Sequence, residues 1–165
     1  MVTDRIATEE TLSSQLLRDA YRYWKSKTRD GRPPRRADID PIEIPALLPY
    51  LMLVEVDDNR QPAKIRLAGT AITEKLGYDP TGGDFTSHRM RGENPDLVIG
   101  YQRLIEVPSQ PLYLEDTYFH TLRSVMRYDR LLCPLSEDGE KTTMILVVVA
   151  LHDSPCGASQ PTTPR

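Results

Sequence analysis

Any chemistry this chain performs has to come from a small set of side chains. Gly82-Gly83-Asp84-Phe85 comes nearest to a metal–nucleotide motif. Such a site needs paired carboxylates to hold the metals that grip a triphosphate. Here a single acid separates the glycines from the phenylalanine, so the run reads as a turn with an aromatic anchor. No lysine follows the glycine pair, which removes the phosphate-loop reading as well. Asp57-Asp58 and Glu115-Asp116 are adjacent acids, but neighbours on a strand point to opposite faces and cannot share a proton. Ser13, Ser14, Ser87 and Ser124 have no base and orienter evident beside them. Cys133 and Cys156 are too few for a disulfide framework or a four-thiolate metal site. The pattern predicts no catalytic residue and no metal site.

Arg29, Arg32, Arg35 and Arg36, with Lys25 and Lys27, form a basic stretch that phosphates would attract. Asp30, Asp38, Asp40 and Glu43 are close enough to neutralise it. Two readings stay open: the arginines tie a connector to these acids or to a sheet, or they form a partner-binding surface. The whole chain carries 21 basic and 24 acidic residues, a net charge of -3, which argues against a nucleic-acid partner. Its 165 residues are one domain's worth, and 39% hydrophobic with 27% charged residues is the composition of a soluble globular protein. The N-terminus MVTDRIATEE lacks the apolar core of a secretory signal. The longest uncharged run, Thr142–His152, falls short of the ~18–20 residues that span a bilayer. A cytoplasmic protein with free thiols and no membrane insertion is expected.

These residues need elements to position them. Thr8 with Glu9 and Glu10 reads as a helix start, and Leu12, Leu16, Ala20, Tyr23 and Trp24 recur at helical spacing. The spacing predicts a helix over about 9–28, stopped by Gly31 and Pro33-Pro34. Its stripe is too apolar for water, so it docks on the chain's own sheet or on a second copy. The homodimer is the preferred reading, with those five residues as the interface. The segment 1–33 is then helix and basic connector, 34–152 the main domain, and 153–165 a proline-rich disordered tail.

Beyond Pro49 the period becomes that of strands. Leu51–Val56 and Lys64–Ala68 pair across Asp57-Asp58-Asn59. A short helix, Thr70–Leu76, and a longer one, Pro95–Val107, separate them from Leu112–His120, Val125–Leu135 and Met144–Leu151. MILVVVAL is continuously apolar, as a central strand covered on both faces would be. The expectation is an α+β domain whose five-stranded antiparallel sheet runs in the order 2-1-5-4-3, helices on one face, with the N-terminal helix in addition.

That order resembles the PAS fold. The stretch LRDAYRYWKSKTRDGRPPRRADIDPIEIPALLPYLMLVEV is similar to the opening of stand-alone PAS-like domains common in alphaproteobacteria. IRLAGTAITEKLGYDPTGGDF and LLCPLSEDGEKTTMILVVV match later blocks in the expected order. The resemblance implies a bacterial sensory or interaction module of signal transduction rather than an enzyme, often dimeric through its N-terminal helix. It also implies a ligand pocket between the helix Pro95–Val107 and the sheet. Leu53, Leu67 and Ile72 would line it from the first half, with Phe85, Leu97, Tyr101 and Leu104 above. Tyr118, Met126 and Leu146 would close it from the later strands, unless all ten are simply core. No cofactor is expected. A flavin photosensor needs a reactive cysteine that Ala68–Pro108 lacks, and a haem sensor needs a histidine that the helix lacks, although His88 lies just before it. Function is then binding: a small-molecule ligand sensed through the N-terminal helix or dimer interface, or a signalling protein docked by a ligand-free adaptor.

Overall fold

A computed structural model of the protein describes residues 3–85, 98–106, 109–120 and 125–152. Six antiparallel strands form one sheet: β1 (Thr3–Ile6), β2 (Leu51–Val56), β3 (Pro62–Ala68), β4 (Leu112–His120), β5 (Val125–Leu135) and β6 (Met144–His152). Their spatial order is β1-β4-β5-β6-β2-β3. The five expected strands take the expected order, and β6 is central, its Val148 opposite both Leu51 and Leu131. The sixth strand is an addition. Thr3–Ile6 is short and mixed in polarity, so no period marks it, yet it pairs along β4 from Thr3↔Glu115 to Ile6↔Leu112.

Among the described residues, three α-helices accompany the sheet: α1 (Gln15–Lys27), α2 (Thr70–Leu76) and α3 (Ile99–Glu106). Helix α1 begins later than the sequence suggests. Thr8 and Thr11 instead close a separate turn through their backbone and hydroxyls. Ser14 then caps the helix, its Oγ accepting from the Leu17 amide at 3.3 Å. Between α1 and β2 the proline-rich connector forms three single 3-10 turns, each too short to continue because a proline interrupts it or the next residue turns extended. Helix α2 ends at Gly77, whose φ of 78° is the left-handed C-cap that glycine adopts without strain. The expected start of the third helix at Pro95 and its end at Val107 lie outside the described residues, as do His88, Cys156 and the tail 153–165.

The sheet is covered on both faces. On one, Ile72 of α2 and Tyr101, Leu104 and Ile105 of α3 pack over Val54, Ile65, Leu132, Ile145 and Val147. On the other, Leu17, Ala20 and Trp24 of α1, with Ile39, Ile44 and Leu47 of the connector, pack over Leu131, Cys133, Leu146 and Val148. This corrects the expectation of a helix standing free for a second copy. Leu12, Ala20 and Trp24 are buried in the chain itself, and Leu16 and Tyr23 are half-buried beside them. The cause is the turn that follows α1. Asp30 and Gly31 both have positive φ, and Arg29 pairs with Arg32, so the chain doubles back and lays the stripe on its own sheet. Trp24 Nε1 donates to the Pro134 carbonyl at 2.8 Å, and Tyr23 Oη receives the Asp40 amide and donates to Glu43.

Candidate functional site

Alternation along β5 decides the site. Leu131, Cys133 and Leu135 face α1, so Tyr128, Arg130 and Leu132 face α3. A register shift in β4 between Leu114 and Thr117 brings Thr117 opposite Tyr128 on that same face. Helix α3 lies above them and lowers Tyr101 onto the strand. The Arg130 guanidinium sits 5.4 Å from the Tyr101 ring centre, and the Phe85 ring lies tilted at 4.6 Å from it.

The arrangement places polar atoms deep in an apolar core. Arg130 and Thr117 are each 1% exposed and Tyr101 is 0% exposed. Among the described residues, the Tyr101 hydroxyl and Thr117 Oγ1 are buried without a hydrogen-bond partner. Burial pushes the Tyr101 and Tyr128 hydroxyls up from their ordinary pKa, against a downward pull from the Arg130 charge, so both stay neutral phenols. Helix α3 is tight on the sheet at its first turn. A Cβ added to Gly100 would come 2.7 Å from Leu114 Cδ2 and 3.1 Å from Leu132 Cδ1, which glycine alone avoids.

The predicted lining residues divide among three places. Ile72, Phe85, Tyr101, Leu104 and Met126 are together in the core beneath α2 and α3. Leu53 and Leu146 oppose each other on the α1 face instead. Leu67, paired with Leu53, shares that face and is 39% exposed on the edge strand, and Tyr118 is 52% exposed beyond the β4 shift. Leu97 lies outside the described residues. Unbroken apolar runs such as LMLV and MILVVVAL hide which parity faces which layer, and that misplaced Leu53 and Leu146. Arg130 and Thr117 escaped the sequence reading. Parity counted from Leu132 would have put Arg130 under α3, but nothing in the sequence marks the β4 shift that turns Thr117 inward.

A second polar group lies on the opposite face. Asp129, 2% exposed, accepts from Ser13 Oγ at 2.8 Å and Tyr113 Oη at 3.0 Å, and His152 Nε2 stands 3.1 Å from the same carboxylate oxygen. Serine, histidine and aspartate meet here without forming a nucleophile. Ser13 bonds the carboxylate directly, so the imidazole does not lie between them as activation requires. Among the described residues no group of three or more His, Cys, Asp or Glu could hold a metal. Cys133 is buried, and burial pushes its thiol up, away from reactivity.

The basic connector resolves largely into ion pairs. Arg35 binds Asp38 at 3.0 Å, Lys27 binds Glu43 at 2.6 Å, and the Arg36 guanidinium bonds the Ile39 carbonyl. Bonds from the Arg35 side chain and amide hold the Asp38 carboxyl down to about 2. An open groove of about 230 Å³ remains between this connector and the Ser136–Gly139 turn, lined by Arg29, Arg32, Arg35, Glu137 and Asp138 among others. Its charges of both signs suit no simple anion.

The sheet and its helices are those of an α+β domain of PAS type. A family model described as a PAS domain matches residues 12–150, and the chain belongs to that family. PAS domains are in general non-catalytic sensory or regulatory modules. Among solved structures the chain is similar to an RNA-binding light-oxygen-voltage receptor, at 13% identity and a TM-score of 0.47, over 72% of this chain and 35% of that one. This chain therefore spans well under two thirds of that receptor's length. No curated protein matches. Among the described residues, no helix is long and apolar enough to cross a membrane.

Proposed function

We propose that this PAS domain is a sensory module that takes a small ligand between α3 and the sheet and reports it through α1. One observation carries the reading: the hydroxyls of Tyr101 and Thr117 lie buried beneath α3 with no hydrogen-bond partner among the described residues. Buried polar groups are nearly always satisfied, and leaving one unsatisfied costs about 1–3 kcal/mol, so a bound molecule with polar atoms is favoured there. The reporting step follows from β5. Arg130 and its neighbour Asp129 point to opposite faces, one beneath Tyr101 and the other to Ser13, just before the Ser14 cap of α1. A ligand that shifts β5 by a fraction of an ångström therefore moves the root of α1. Native mass spectrometry of the purified full chain tests this, the expected result being a stoichiometric co-purifying metabolite. A bare mass, combined with no change in melting temperature on adding metabolite extract, would sink the ligand reading.

One observation favours a ligand-free adaptor as the second reading. Ile42 is 86% exposed on the connector, a large apolar side chain that a partner protein would cover. Alanine replacement of Ile42 should then abolish partner capture and leave metabolite binding untouched.

A further inference from the structure

We infer that the groove between the connector and the Ser136–Gly139 turn docks an acidic segment of a partner protein, its carboxylates taken by the Arg29 and Arg32 guanidiniums. This surface shares no residue with the core beneath α3; it rests on the adaptor reading and adds the chemistry of the partner. Asp30 and Gly31, both at positive φ, form the two-residue turn of a small hairpin. Arg29 and Arg32 exchange both backbone bonds across it, at 3.3 and 2.9 Å. Residues opposed in this way present their side chains on one face of the ribbon, about 4.5–5.5 Å apart at Cβ. Two like charges so placed destabilise the turn, a cost that any neutral residue would avoid. The hairpin is also fixed in place. Pro33 and Pro34 behind it are buried, and the Pro34 carbonyl accepts from the Ser136 amide at 2.9 Å. The Arg32 stem lies so close to Gly139 that a Cβ there would come 2.7 Å from its Cδ.

Most charges lining the groove are already committed, and these two arginines are not. Asp38, its side chain 14% exposed, takes the Arg35 fork and the Arg35 amide. The Asp138 carboxylate accepts from the Ser136 hydroxyl and the Glu140 and Lys141 amides, all within its own turn. Glu137 accepts the Arg36 amide at 3.3 Å, and Lys27 is paired with Glu43. The Arg29 side chain is 79% exposed, with Asp38 at 3.9 Å. Arg32 is exposed, and its guanidinium makes no ion pair among the described residues. Two guanidiniums side by side match a pair of carboxylates. Asp30, Glu137 and Asp138 line the same groove, and the whole chain carries a net charge of -3. A uniformly anionic polymer or membrane is therefore repelled. A peptide sets its acids at intervals and turns a lysine or an uncharged residue toward Glu137, which is how such a surface selects one partner against others.

The test probes an array of short peptides with the full-length chain. Each peptide carries two aspartates or glutamates at varied spacing, with or without one lysine, and versions with lysine in place of the acids serve as controls. The retained peptides should be those with paired acids, and fluorescence polarisation of the tightest should show affinity falling as salt rises. Arg29→Gln combined with Arg32→Gln should weaken that peptide by about 5- to 30-fold. Both side chains are exposed, so this variant should keep the wild-type circular dichroism spectrum. Arg29→Glu combined with Arg32→Glu should turn the selection toward the lysine peptides, which a merely structural role would not do. Retention of no acidic peptide, or unchanged affinity in the glutamine variant, would overturn the assignment. Tighter binding of a single-stranded oligonucleotide or of phosphatidylglycerol vesicles would overturn it as well. The adaptor reading stands or falls separately with Ile42→Ala, so the two failures are told apart.

Discussion

Replacing Trp24 asks whether α1 belongs to the core of its own chain or to an interface between chains. Trp24 is 5% exposed, packed against the α1 face of the sheet, and bonded through Nε1 to the Pro134 carbonyl at 2.8 Å. Truncating a buried tryptophan to alanine costs about 3–5 kcal/mol through lost burial and the cavity left behind. The Pro134 carbonyl, stripped of its donor, adds about 1 kcal/mol. A total of about 4–6 kcal/mol is a large share of the ~5–15 kcal/mol that holds a domain folded. Trp24→Phe keeps an aromatic filler and loses the bond, so about 1–2 kcal/mol is expected. Urea unfolding followed by far-ultraviolet circular dichroism measures both, since the reporter must survive loss of the tryptophan. The wild-type midpoint should stay constant over about a hundredfold range of protein concentration. A loss below about 1 kcal/mol in Trp24→Ala, or a wild-type midpoint that climbs with concentration, would refute the intrachain packing of α1.

Val148, 0% exposed between β5 and β2, should not tolerate aspartate: the variant would bury an unpaired charge at a cost of several kcal/mol and accumulate as insoluble protein, and a soluble, cooperatively folding product would contradict its central place. Acid should weaken the connector. The Asp38 carboxyl is held at about 2, below its ordinary 3.8, so its contribution is complete above about pH 4 and fades as pH falls toward 2. Urea midpoints across that window should fall less steeply in Asp38→Asn, with a residual slope from the other lowered carboxyls, Asp138, Asp79 and Glu43 among them; parallel slopes would exclude the Arg35–Asp38 pair as a cause. Purified protein should be colourless, because no photosensor cysteine lies between Ala68 and Pro108. A near-stoichiometric flavin or Soret band would reject this and bring His88 forward as a haem ligand.

Sheet order was legible because MILVVVAL is too long and too apolar for anything but a central strand, and the short Asp57–Asn59 turn fixes β2 beside β3. The same uniformity concealed facing, so Leu53 and Leu146 were assigned to the wrong layer. The stripe of α1 was plain, but its partner was not. A stripe shows that a helix must be covered, and only the Asp30-Gly31 turn decides that the cover is intrachain. Thr3–Ile6 carries no signal of its own, since pairing along β4 supplies its stability. Within the site, Tyr101 and Phe85 were named because the PAS resemblance points to the space between α3 and the sheet, and both lie in the core there. Arg130 was passed over because charged residues on strands usually face water, a rule that holds only where the opposite layer is absent.

The order of the strands also bears on colloidal behaviour. Leu146–Ala150 combines high β-propensity with no charge, the composition of segments that stack into cross-β fibrils. Flanked by β5 and β2, its amides and carbonyls are committed on both sides. The strands left at the margins are poor templates for a foreign strand. β1 has four residues and carries Asp4 and Arg5, while β3 opens with Pro62 and carries Lys64 and Arg66. This fibril-prone segment is thus exposed only when the sheet itself opens, which ties resistance to aggregation to global unfolding rather than to fraying at the edges.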